Sequence, residues 1–197
     1  MKLFHTVPRV LEGDYLEPRT DVQRNGFSGS FLFATNNPLL SLCYAMRNGT
    51  KLYSNTMADG SVYVVVPLKT VKADDVQATT YSMHSDTFTH FRDNQYITEC
   101  EVHKSELCTE WKIENLDCLM GHGLQIFYVA PSAKDIPYNV YSDPDIDIDK
   151  LTKEKLRAGE LQSLNEERGH DLHPFFAGAG SIDDDRPNAG GLQPQRR

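Results

Sequence analysis

Over residues 2–7 the chain alternates, with Leu3, His5 and Val7 on one face of an extended strand and Phe4 and Thr6 on the other. Pro8, which has no amide hydrogen for a ladder, ends that strand. Residues 9–29 read as a loop punctuated by Gly13, Pro18, Gly26 and Gly29, and a loop of that length in a compact domain points to function or mobility. A second strand is expected over 30–34. Thr35-Asn36-Asn37 then forms a capping turn, with Pro38 at the first position of a helix that runs to about Met46 and stops at Asn48-Gly49. Little polar face remains on that helix, so it is expected to lie against the sheet.

Residues 60–68 read as a strand that is apolar from Val62 onward and carries Val62, Val64, Val65 and Val66, the pattern of a central strand buried on both faces. The stretch 69–94 is polar and weakly patterned. Residues 95–103 alternate again, placing Gln95, Glu99 and Glu101 on one face, and 124–130 forms a further strong strand. Strands outnumber helices here, which predicts an α+β fold: a mainly antiparallel, split β-sheet with helices packed on it.

The character changes after Pro131. An acidic run, Asp143, Asp145, Asp147 and Asp149, leads into a Lys-, Glu- and Leu-rich stretch over 150–168, read as a helix capped by Asp147 or Asp149. Residues 177–197 are too poor in large apolar side chains to offset their ordering entropy and are read as a disordered tail. The organisation that follows is a folded unit over 1–130, an acidic linker with a C-terminal helix over 131–176, and the tail.

Composition narrows the function. With 197 residues, 39% of them hydrophobic, the chain suffices for one cored domain. Its net charge of -8 argues against general binding to a phosphate backbone, which needs a basic face. Cys43, Cys100, Cys108 and Cys118 have no CxxC or metal-ligand spacing and read as reduced thiols. No apolar signal region stands at Met1-Lys2-Leu3-Phe4-His5 and no run is long enough for a bilayer, so a cytoplasmic protein without membrane contact is expected.

The chemistry rests on short motifs in a particular order. Phe4-His5-Thr6 is followed by Phe31-Leu32-Phe33-Ala34-Thr35 and then by Cys43-Tyr44-Ala45. This combination resembles the histidine-tyrosine class of the ADP-ribosyltransferase superfamily, which includes the poly(ADP-ribose) polymerases and diphtheria toxin. Phe4-His5-Thr6 also resembles the opening of a phage anti-CRISPR ADP-ribosyltransferase family. The resemblance implies an ADP-ribosyltransferase-like fold that binds NAD as its substrate. His5 and Thr6 would hold the dinucleotide, with His5 on the adenine-side ribose, while Phe33, Ala34 and Tyr44 would frame the nicotinamide.

Asn94-Gln95-Tyr96-Ile97-Thr98 resembles the family strand that carries the catalytic Glu, with Gln95 in its place. A glutamine accepts a hydrogen bond but brings no charge to a developing cation. Glu99 and Glu101 are the alternative acids, although Glu99 would sit about 13 Å along the strand from Gln95. Glu99-Cys100-Glu101 also resembles the Glu-x-Glu motif of the arginine-class toxins, with Ser28-Gly29-Ser30 as an echo of their Ser-Thr-Ser strand, yet His5 stands where that class has arginine. The strand at Gln125 likewise offers a glutamine and is read as structural.

His170 and His173 have a two-ligand spacing without a third ligand, and the Asp143 to Asp149 run lacks the glycine and terminal Glu of a calcium loop, so no metal is expected. Trp111 is read as an anchor between the sheet and a neighbouring segment. The implied function is NAD-dependent mono-ADP-ribosyl transfer to a protein or nucleic acid of a host, as by a phage or toxin-like effector. Two alternatives stay open: a catalytically silent binding protein of the same fold, and an unrelated viral structural or assembly protein.

Overall fold

A computed structural model describes residues 1–22, 28–46, 53–66, 76–130 and 145–178, with the backbone alone at 20–22, 28, 44 and 45. The protein is α+β, its strands mostly antiparallel and arranged in several sheets, with four short α-helices among the described residues. The Asn48-Gly49 helix stop, residue 143 of the acidic run, and the tail from residue 179 lie outside the described residues.

The larger sheet is built around β1 (Lys2–Pro8) and β4 (Ser28–Thr35). Its order runs β11 (Cys108–Ile113), β7 (Ala78–His84), β1, β4, β9 (Gln95–Thr98) and β8 (Thr89–Arg92), with β3 (Arg19–Val22) paired to the first half of β4. A four-stranded sheet runs β13 (Leu161–Ser163), β12 (Gln125–Val129), β6 (Val62–Val66) and β5 (Tyr53–Thr56), and in it β12 and β6 lie parallel. The short strands β2 (Tyr15–Leu16) and β10 (Val102–His103) pair with each other.

The two main sheets face each other across the largest core, which joins Val62, Val64 and Val66 of β6 to Ala78, Ile113, Ile126 and Leu42. Strand β6 is buried on both faces, because Tyr63 and Val65 point into a second core with Phe127, Leu161 and Phe176. That is the central strand its apolar run predicts. A third core, with Leu3, Leu32, Ala34, Tyr81 and Val102, covers the outer face of the larger sheet.

Three differences from the sequence reading have clear causes. Strand β7 lies inside the stretch that hydropathy leaves featureless, since its buried hydroxyls are satisfied by partners far away in the sequence. Thr79 donates to the Arg9 carbonyl, Ser82 to Glu110, and Thr80 bonds Thr6. The expected strand over 95–103 breaks after Thr98, whose hydroxyl accepts the Cys100 amide hydrogen at 3.1 Å and turns the chain toward β10. Glu99 and Glu101 therefore leave the face that carries Gln95 and stand exposed beyond the end of β9.

The expected helix over 150–168 is likewise divided. It forms α3 (Ile148–Arg157), capped by Asp147 as its acidic entry predicts, and then stops at Gly159, which sits at φ +70°. The Gly159 and Glu160 amides bond back to the Leu156 and Lys155 carbonyls, a C-terminal closure that a left-handed glycine permits. The chain re-enters the sheet as β13 before α4 (Leu164–Glu167). Trp111 anchors as expected, stacking on His122 beyond the end of α2 (Leu116–Gly121) with ring centroids 4.4 Å apart.

Candidate functional site

Strands β1 and β4 are joined by a single residue pair, Phe4 with Thr35, whereas β1 and β7 pair along the whole of Lys2–Pro8. Beyond that bridge the two strands part and the Phe33 carbonyl has no ladder partner from β1. The His5 side chain fills the gap, its Nδ1 lying 2.6 Å from the Phe33 oxygen. A carbonyl can only accept, so Nδ1 carries the hydrogen and Nε2 of the neutral ring is left as an acceptor. Among the described residues Nε2 has no partner. Burial of the ring holds His5 below its ordinary range and outweighs the Phe33 carbonyl, which favours the charged form, while the Arg19 guanidinium adds to the lowering.

The other face of β1 holds a chain of hydroxyls. Helix α1 (Pro38–Leu42) is started by Asn37, whose Oδ1 accepts from the Leu39 and Leu40 amides, with Pro38 opening the first turn as the sequence predicts. This start sets Ser41 against the sheet, where its hydroxyl lies 2.7 Å from that of Thr6. Thr6 in turn lies 2.9 Å from Thr80 on β7. All three side chains are buried. The sequence reading missed both Ser41 and Thr80; the signal for Ser41 is that it is the polar residue within an otherwise apolar helix, while Thr80 has no comparable signal.

These two features meet around a cavity of about 10 Å³ lined by residues 4–6 of β1, 33–35 of β4 and Ser41. The volume holds about one water. Of the residues singled out from the sequence, the structure brings His5, Thr6, Phe33 and Ala34 together. The Tyr44 side chain lies outside the described residues, although its backbone continues from α1 in a 3-10 turn (Cys43–Met46).

Gln95 is two strands away from β1, in register with Thr35 and so with Phe4, which puts these three positions in one row across the sheet. Its Oε1 accepts from Arg92 Nε at 3.3 Å. Glu99 and Glu101 are not brought to the cavity.

Next to this cavity a larger, open groove of about 550 Å³ runs between residues 36–39, the hairpin turn at Met57 and Gly60, and Asn94. Asn37 spans it, donating from Nδ2 to the Gly60 carbonyl while capping α1. Gly60 holds φ +86°, the conformation that lets the β5–β6 turn close. No charged side chain lines either cavity among the described residues.

The two histidines of the C-terminal segment face different partners. His170 Nε2 lies 3.6 Å from Asp117, while His173 Nε2 bonds both Ser61 Oγ at 3.1 Å and Asp59 at 2.9 Å. His173 Nδ1 accepts the Phe175 amide hydrogen. With serine and aspartate on the same nitrogen, this cluster cannot act as a charge relay, which needs them on opposite nitrogens. It ties the C-terminal segment to the β5–β6 turn instead. Among the described residues no group of three or more His, Cys, Asp or Glu side chains is placed to hold a metal, and no helix is long and apolar enough to cross a membrane. The four cysteines are free, Cys43 buried and Cys100 and Cys108 exposed.

No protein-family model, no curated protein and no solved structure matches the chain.

Proposed function

We propose that this chain is an NAD-dependent mono-ADP-ribosyltransferase with the split-sheet fold of that superfamily, acting in the cytoplasm of a host as a phage or toxin-like effector. The observation that carries the reading is the meeting of His5 with Phe33 across the β1–β4 seam. Two motifs far apart in sequence thereby face one cavity, in the order and with the residue types that the resemblance implies. The bare Nε2 of a neutral His5 suits a ribose hydroxyl, which donates to it. Thr6, Ser41 and Phe33 line the cavity in which a nicotinamide carboxamide would bind.

A cavity of about 10 Å³ admits no pyridine ring, so binding requires the seam to open. The seam is suited to opening, being held by one residue pair and one side-chain bond. No carboxylate lines the cavity among the described residues, and Gln95, which the resemblance puts in place of the family's acid, brings no charge to steady a developing oxocarbenium ion. That observation favours slow transfer, and it also supports the second reading, a catalytically silent binder of NAD.

The test is incubation of the full chain with NAD labelled in the adenylate moiety and host lysate, with nicotinamide release followed in parallel. Labelled acceptor that disappears with His5→Ala supports transfer. NAD binding without release, converted to release by Gln95→Glu, supports the silent reading. Absence of NAD binding in the unmodified chain would reject both.

A further inference from the structure

We propose that residues 171–178 form a strap that regulates the His5 cavity: docked on the four-stranded sheet it holds helix α1 against β1, and its release loosens the cavity wall. The regulation rests on the transferase reading for its purpose, since a wall that yields is what entry of a dinucleotide requires. The coupling itself is a property of the fold.

The strap is held by side chains. Among the described residues no backbone group of residues 171–178 bonds to the backbone of a strand or helix. One attachment is the buried Gln125, which accepts the His173 amide hydrogen at 3.0 Å and donates to the Asp171 carbonyl at 3.5 Å. Another is an aromatic slot that Phe176 fills between Tyr63 and Phe127, with ring centroids 5.2 and 4.8 Å away. Beside it the Lys153 ammonium lies 3.3 Å from the ring centroid of Phe175. Such a segment can leave without breaking any ladder bond, which places it at the low end of local stability.

From the strap a continuous run of hydrogen bonds leads to the cavity. His173 Nδ1 accepts the Phe175 amide hydrogen, so the ring hydrogen is on Nε2 and is donated to Asp59 Oδ2 at 2.9 Å. The other oxygen, Asp59 Oδ1, accepts the Ser61 amide hydrogen at 2.9 Å. The carbonyl of that same peptide unit belongs to Gly60 and accepts from Asn37 Nδ2 at 3.0 Å. Asn37 Oδ1 caps the first turn of α1, and the Asn37 backbone carbonyl accepts the Ser41 amide hydrogen at 3.1 Å. Ser41 then meets Thr6 at 2.7 Å on the cavity wall.

The middle links are planar groups held at both ends, so the run passes on position as well as polarisation. With the strap docked, the Gly60–Ser61 peptide is tied on one side to Asp59 and on the other to Asn37. With the strap released, Asp59 loses His173, and the start of α1 keeps only the turn and its own local bonds. The element with two arrangements that such coupling needs is the strap itself, docked or free.

The test measures backbone amide exchange by NMR in the isotope-labelled full chain without NAD, comparing the Ser41 amide with the amides of β7. His173→Ala is expected to speed exchange at Ser41 roughly fivefold, the population change for loss of about one hydrogen bond, and to leave β7 unchanged. Asn37→Ser, which keeps a helix cap but has no group to reach Gly60, should have the same effect, and His173→Ala should add nothing to it. Should His173→Ala fail to fold, Phe175→Ala replaces it, since it weakens the seat of the strap without removing any member of the run. Unchanged exchange at Ser41, equal acceleration throughout β7, or additive effects of the two substitutions would overturn the proposal. NAD is absent throughout, so this result and that of the transferase assay fail independently.

Discussion

The imidazole of His5 and the carbonyl of Phe33 meet at 2.6 Å where strands β1 and β4 separate, so that a side chain completes the hydrogen bonding that the backbone ladder abandons. Chain segments 28 residues apart are thereby fastened at one point, and the fastening is also the wall of the cavity.

Replacing His5 with alanine leaves the Phe33 oxygen without that partner in a part-buried position. The expected loss is about 1–2 kcal/mol of unfolding free energy, read by urea denaturation at neutral pH. A change near zero would mean that water replaces the imidazole fully.

Acid should destabilise the fold at the same residue, because the buried ring resists taking a charge. The folded state holds the His5 pKa below its ordinary 6.5, so the unfolded chain takes up a proton first as pH falls. His122 is lowered in the same direction by burial. Stability is expected to be full above pH 6.5 and to decline below it, and His5→Ala should flatten part of that decline in a melting-temperature series against pH.

Asn165 docks α4 onto β12 through both ends of its amide. Its Oδ1 accepts the Ile126 amide hydrogen at 2.8 Å and its Nδ2 donates to the Leu124 carbonyl at 3.1 Å, with the side chain 1% exposed. Asn165→Ala orphans two buried backbone groups and should cost about 2–5 kcal/mol in denaturant unfolding. Asn165→Asp, which sets a buried carboxylate oxygen against the Leu124 carbonyl, should cost at least as much at neutral pH.

Tyr128 should titrate late. Burial first, and then the Glu167 carboxylate that accepts its hydroxyl hydrogen at 2.7 Å, push its pKa up to about 12. Because the folded value lies above the ordinary 10.0, this contribution to stability is complete below pH 10 and is lost as pH rises through about 12. Ultraviolet titration should show one tyrosine fewer ionising in the late range in Tyr128→Phe. Glu167→Gln should move the late step earlier.

The hydroxyl chain through Thr6 should behave as a unit. Thr6→Val removes the shared partner of Ser41 and Thr80 and is expected to cost about 1–2 kcal/mol. Adding Ser41→Ala should then cost less than it does in the unmodified chain, a coupling of at least about 0.5 kcal/mol in a double-mutant cycle. Strict additivity would show that the two hydroxyls do not depend on each other.

Local patterns settled a good part of this structure in advance. The opening alternation set β1, the valine run set β6 as a strand buried on both faces, and Asn37-Pro38 and Asp147 marked the starts of α1 and α3. These features were legible because proline, capping side chains and apolar periodicity act within a few residues of themselves. They also brought Phe4-His5-Thr6 and Phe33-Ala34-Thr35 forward as motifs worth pairing.

Distance in sequence hid the rest. Strand β7 owes its burial to hydroxyls satisfied by Thr6, Arg9 and Glu110, partners that only folding supplies, and its composition alone resembles a loop. Gly159 reads as one residue in a helical stretch until β12 offers β13 an edge to pair with. The Thr98 hydroxyl that diverts Glu99 and Glu101 competes with a strand continuation whose alternation is equally good. Sequence by itself determined β1, β6 and the starts of α1 and α3, and which residues carried chemical promise. The tertiary structure decided which of them meet, because a hydrogen bond between distant segments forms only after the chain between them has been brought to close.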